Sequence, residues 1–100
     1  MHTKISVVVL TKNEEDNIAR CLSSAKGWAD EIIVVDDGSR DRTVEIARGL
    51  ADRVLENKMK VEGAHRNWAY AQARNNWVLS LDADEYLSEE LKKEIDAALP

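Results

Sequence analysis

Three carboxylates, Asp82, Asp84 and Glu85, fall within four residues directly after the apolar segment WVLSL at 77–81. In an extended segment residues two apart point the same way, so Asp82 and Asp84 share a side while Ala83 turns from it. Two carboxylates roughly 6 Å apart repel by about 3 kcal/mol at an effective dielectric of about 20. A divalent cation removes that repulsion. Hard oxygen ligands suit Mg²⁺ or Mn²⁺, which complete their shells with phosphate oxygens and water. Two protein carboxylates and a diphosphate thus make a workable site. The same residues also suit a solvated turn before a helix, a role that needs no ligand. Their place at the tip of an apolar strand weighs toward the metal.

A second acidic cluster, VVDDGSRDRT at 34–43, also ends an apolar run. Gly38 permits a sharp turn and Ser39 suits the cap of a following helix. A carboxylate at this point can accept a hydrogen bond from a base N–H, and Asp36 should stand nearest a ligand crevice. Asp37 and Asp41 suit a turn and a helix start equally well. The first apolar run ends in LTKNEED at 10–16 and lacks G-x-G-x-x-G. Without that backbone cradle for pyrophosphate a dehydrogenase is disfavoured, and phosphates must be held otherwise, most simply by a metal at 82–84. In GAHRNWAYAQA at 63–73, Arg66 and Asn67 stand near a helix start, within reach of phosphate or base. His65 has no evident partner. Trp68 and Trp77 sit on apolar patterns and read as core, and Glu14 reads as a helix-start acid.

These residues need elements to hold them. KISVVVL (4–10) and EIIVVD (31–36) are short continuous apolar runs, the mark of strands covered on both faces. WVLSL (77–81) reads as another buried strand, and RVLE (53–56) as an edge strand. Between and after them lie four helical stripes: Ile18, Leu22 and Ala25 with Cys21 beside them; Val44, Ala47 and Leu50; Ala64, Trp68 and Ala71; and Leu87, Leu91, Ile95 and Leu99. Asn13, Ser39 and Ser88 are the candidate helix starts. Alternating strand and helix predicts an open, mostly parallel α/β sheet with right-handed crossovers and ligands at the strands' carboxyl ends. In the doubly wound order third-second-first-fourth, Asp36 and Asp82 would stand about 10 Å apart, two strand spacings. Asp36 and Asp84 should then converge on one hollow.

Composition limits the partners. The 100 residues fit one domain, with 44% hydrophobic and 33% charged residues. Lys and Arg number 14 against 19 Asp and Glu, a net charge of −5, which gives no general attraction for nucleic acid or anionic lipid. No apolar run is long enough to span a bilayer. Cys21 is the single cysteine, which excludes an internal disulfide and fits a cytoplasmic location.

Taken in order, ISVVVLTKNEEDNIARCLSSAKGWADEIIVVDDGSRDRTVEIA, RNWAYAQA and WVLSLDADE resemble the amino-terminal half of family 2 glycosyltransferases. The resemblance implies a Rossmann-like GT-A fold that binds a nucleotide-diphospho-sugar, with a metal, Mn²⁺ or Mg²⁺, at the DxD. By position, Thr11 and Glu14 would line the nucleoside pocket, Asp36 would bind the base, most often uracil, and Asp37 would lie beside it. Arg66 would sit near the donor, Asp82 would face ribose or sugar, and Asp84 would be the main metal ligand, with Asp82 assisting. The closest likeness is to bacterial lipopolysaccharide-core-type sugar transferases of cell-envelope polysaccharide biosynthesis. The acceptor would be a saccharide or a lipid-linked molecule, and a longer protein could lie against the inner membrane face. Asn75-Asn76 depart from the family's usual Gly-acidic pair, though Asn tolerates a left-handed turn. Family catalytic domains run to roughly twice this length. The implied acceptor site and general base are not among these residues, so residues 1–100 are expected to be a donor-binding domain, truncated, inactive alone, and prone to self-association through uncovered surfaces. Two rivals stand beside this: a phosphoacceptor receiver domain, which would need an acid pair where Thr11-Lys12-Asn13 stand, and a catalytically silent nucleotide-binding fragment.

Overall fold

The structure is a computed structural model that describes residues 3–58 and 62–100. In chain order it runs β1 (Ile5–Thr11), α1 (Ile18–Ala25), β2 (Glu31–Asp36), α2 (Thr43–Arg48), β3 (Arg53–Glu56), α3 (Glu62–Ala71), β4 (Trp77–Asp82) and α4 (Glu89–Ala98). The four strands form one parallel sheet in the order β3-β2-β1-β4, as the alternation predicts. Thr11 is in register with Asp36, and Leu10 with Asp82. The polar tips of β1, β2 and β4 therefore emerge together at one end of the sheet.

β1 and β2 are the buried pair, every residue but Leu10 being buried, because helices cover both of their faces. On one face Val7, Val9, Ile32 and Val34 pack with Ile18, Cys21, Leu22 and Ala25 of α1, with Ala47 of α2, and with Leu87 and Ile95 at α4. On the other, Val8, Ile33 and Val35 pack with Ala69, joined by Tyr70 and Ala73. The α3 face thus differs from the expected Ala64-Trp68-Ala71 stripe. Ala64 and Ala71 are exposed and Trp68 is 38% exposed, while Arg66, Ala69, Tyr70 and Ala73 follow the i, i+3, i+4, i+7 spacing of the sheet-facing side. Trp68 therefore does not belong to the core.

β4 also corrects an expectation. It is an outer strand and not a fully buried one: Trp77 is 47% and Val78 37% exposed, and of its apolar residues only Leu81 is buried. Its inner residues Leu79 and Leu81 pack on the α1 side, whereas Val78, in register with Ser6, lies on the face where α3 covers mainly the other strands. At α4, Leu87 before the helix is buried and Leu91 is 39% exposed, so the stripe seats through Leu87 and Ile95.

One expected cap holds and two do not. Ser88 caps α4, its Oγ accepting from the Leu91 N–H at 3.1 Å. Helix α1 starts after Asn17, and Asn13 instead adopts a left-handed φ of 54°. Helix α2 starts at Thr43 after Arg42, because Ser39 is drawn back to the Asp36 carboxylate. At the other end of the sheet the nearly buried Glu31 accepts from Ser6 Oγ and from the Arg74 N–H, and Asn75 donates to Ser6 Oγ, so the 74–75 segment is tied to β1 and β2.

Candidate functional site

A cavity of about 340 Å³ opens at the carboxyl ends of β1 and β4. Leu10, Thr11, Lys12 and Glu14 form one wall, Asp82, Ala83 and Asp84 another, and Asp37 joins them from β2. Four of the expected residues thus meet there with Asp84. Thr11 is 5% exposed, and its Oγ1 has no hydrogen-bond partner among the described residues. A buried hydroxyl left unpaired at a cavity wall is costly and marks a place for a ligand's polar atom.

The first wall is built by two loops that hydrogen-bond to each other. The Asn13 N–H donates to Ser39 Oγ at 2.8 Å and the Arg40 N–H to Asn13 Oδ1 at 2.8 Å. The Glu14 N–H donates to Thr43 Oγ1 at 2.8 Å, and the Glu15 N–H to Asp41 Oδ2 at 3.3 Å. Asp41 also accepts from the Thr43 N–H and hydroxyl, which is how α2 starts. That hydroxyl bond, the largest cause, holds the Asp41 carboxyl below its ordinary 3.8.

Asp36 does not stand where expected. It is 1% exposed, is not among the cavity's lining residues, and spends both oxygens on the turn after β2. Oδ2 accepts from Gly38 N at 3.0 Å and Ser39 N at 2.8 Å, and Oδ1 accepts from Ser39 Oγ. Gly38 has a φ of 87°, which L side chains adopt only under strain, so it lets both amides turn onto one carboxylate. Asp37 takes the place at the cavity, and its N–H extends the ladder to Thr11 O at 3.0 Å. Asp36 and Asp84 therefore do not share the hollow: Asp84 lines it, whereas the Asp36 side chain is buried in the turn after β2.

The second wall is the turn after β4. Asp82 is 54% exposed at its side chain, and its Oδ1 lies 3.6 Å from Arg66 Nη2. The α3 face that turns inward thus carries Arg66 to the acidic tip. Helix α1 lies under the turn. Cys21 Sγ donates to Asp82 O at 3.7 Å, Ser24 Oγ accepts from the Leu87 N–H at 2.9 Å, and Arg20 lies 4.7 Å from the centre of the Tyr86 ring. Burial pushes the Cys21 thiol up to about 12, with the charges of Glu85, Asp84 and Asp82 adding to it. It is a neutral packing group at physiological pH.

Among the described residues no three His, Cys, Asp or Glu side chains gather closely enough to hold a metal ion by themselves. Asp82 and Asp84 supply hard carboxylate oxygens on one cavity wall, a donor set that suits Mg²⁺ or Mn²⁺ when phosphate oxygens complete the shell. Lys12 was not singled out from sequence. The signal for it was its position immediately past β1, where ligands of such sheets sit.

Residues 6–98 match the sequence profile described as Glycosyl transferase family 2. The chain is 45% identical to an uncharacterized glycosyltransferase of Rickettsia typhi, over 93% of this chain and 32% of that protein. It is 33% identical to the poly(ribitol-phosphate) beta-N-acetylglucosaminyltransferase TarS of Staphylococcus aureus, over 94% of this chain and 18% of TarS. A crystal structure of S. aureus TarS superposes with a TM-score of 0.76 at 34% identity, over 95% of this chain and 32% of that one. Glucosyl-3-phosphoglycerate synthase of Mycobacterium tuberculosis, in complex with Mn²⁺, UDP and glucosyl-3-phosphoglycerate, superposes with a TM-score of 0.65 at 28% identity, over 84% and 36% of the two chains. The chain therefore spans about a third of the length of the R. typhi relative.

Proposed function

This chain belongs to glycosyl transferase family 2, and from that premise we propose that it is the donor-binding half of an inverting, metal-dependent transferase that takes a UDP-sugar. Membership sets aside the receiver-domain reading. The observation that carries the proposal is the unpaired Thr11 hydroxyl, which shares one cavity with carboxylates from the ends of two other strands, Asp37 after β2 and Asp82 and Asp84 at β4. UDP and Mn²⁺ in the mycobacterial synthase support the nucleotide and the metal.

In this reading Asp37 accepts the N–H of uracil, and Asp36 holds the turn that aims it. Thr11 and Glu14 border the nucleoside, with Lys12 adding a cation to the same wall. Asp82 faces ribose or sugar, and Arg66, already beside it, lies close to the diphosphate. Asp84, helped by Asp82, holds Mn²⁺ or Mg²⁺. When bound, the metal supplies Lewis-acid neutralisation of the diphosphate leaving group. The protein's own part is to hold donor and charge in fixed relation.

The acceptor site and general base belong, in this reading, to the two thirds of the relatives' length that the chain does not span. The acceptor is a saccharide or lipid-linked molecule of the cell envelope, the protein acts in the cytoplasm, and a longer form could lie against the inner membrane face. Titration calorimetry with UDP tests the donor site: binding that requires Mn²⁺ or Mg²⁺ and disappears in Asp84→Ala is expected. Folded protein that ignores UDP with Mn²⁺ present would end the proposal. Purified chain mixed with UDP-sugars should release no UDP beyond background. Robust turnover would refute the assignment of the base to a missing segment.

A further inference from the structure

Glu85 is the carboxylate of the acidic run that the donor site leaves without a task. It does not line the cavity, although Asp82 and Asp84 do. Its Oε1 accepts from the Asp82 N–H at 2.8 Å, and its own N–H donates to Asp82 O at 2.9 Å. The two bonds close residues 82–85 into a ring. We propose that Glu85 is a positioning residue: it ties shut the turn that presents Asp82 and Asp84, and does not itself hold the cation.

The need for such a tie follows from topology. β4 is an outer strand, so an N–H on its open side has no neighbouring strand to receive it. Asp82 is the last residue of β4, and Glu85 supplies the acceptor there, a carboxylate bond stronger than a neutral one. The rest of the turn is already anchored. Ala83, 2% exposed, packs in the core cluster, Cys21 reaches Asp82 O, and Ser24 takes the Leu87 N–H. Glu85 adds the tie at the Asp82 amide.

The effect on cation affinity rests on the donor-site reading; the closure of the turn does not. Two variants separate them. Glu85→Gln keeps an oxygen acceptor and Glu85→Ala removes it. Amide hydrogen exchange, followed by NMR without ligand, should show the Asp82 N–H exchanging about tenfold faster in Glu85→Ala and unchanged in Glu85→Gln. Mn²⁺ affinity in the presence of UDP should fall about tenfold in Glu85→Ala, as for other residues that orient metal ligands, and stay within about threefold in Glu85→Gln. Unchanged exchange in Glu85→Ala overturns the proposal. So does an equal loss of Mn²⁺ affinity in both variants with the Asp82 amide still protected, because that is the behaviour of a direct ligand. If the parent protein binds no Mn²⁺ with UDP, the donor-site reading fails while the exchange comparison still decides the turn.

Discussion

At the scale of single residues, the neighbours Asp36 and Asp37 have opposite duties. Asp36 is buried and accepts three hydrogen bonds from Gly38 and Ser39, whereas Asp37 lines the cavity. Asp36→Ala removes the acceptor of those half-buried donors and should lower stability by about 1–3 kcal/mol, read as a lower midpoint in urea unfolding. Asp37→Ala should lower that midpoint less than Asp36→Ala does and should weaken UDP binding. The reverse pattern would exchange their roles. Sequence reasoning places Asp36 at the crevice and the structure places Asp37 there, because the two are neighbours at the end of one strand and alternation says only that they face opposite ways. Which side is the ligand's depends on how the Gly38 turn folds back.

At the scale of elements, tertiary hydrogen bonds override local helix-start signals. Ser88 caps α4 as expected, but Asn13 and Ser39 are taken by a net joining the loops after β1 and β2. Asp41 starts α2 and, through Glu15, also belongs to that net. Its folded pKa lies below the ordinary 3.8, so the ionised form is the one that folding favours. Its stabilisation is complete above that value and is lost as pH falls through the lower, folded one. Thermal melts should therefore show a loss below about pH 4 that is smaller in Asp41→Asn, and identical pH profiles would exclude Asp41 as a contributor. The α3 face is a second case. Ala64, Trp68 and Ala71 look as apolar as Ala69, Tyr70 and Ala73, and periodicity cannot rank two apolar stripes. The sheet selects the stripe that buries small Ala69 and delivers Arg66 to Asp82.

At the scale of the whole molecule, the sheet ends at β4 with Trp77 and Val78 exposed. An open apolar edge is a template for pairing. Self-association is expected there: sedimentation velocity should show the average mass rising with concentration, and Val78→Lys should suppress the rise. A parent that stays monomeric, or a variant that associates equally, would place association elsewhere or remove it. No helix among the described residues is long and apolar enough to cross a membrane.

The amino-acid sequence by itself determined the strands, their order, the polar end of the sheet and the family. Each of these rests on local apolar runs, short parallel crossovers or contiguous motifs that one chain carries in linear form. Tertiary structure alone decided that Asp37 and not Asp36 meets the cavity, that Glu85 closes the turn, and that β4 lies open. Those outcomes depend on which distant partner claims a given hydrogen bond or face, and side chains compete for such partners only once the sheet has brought them together.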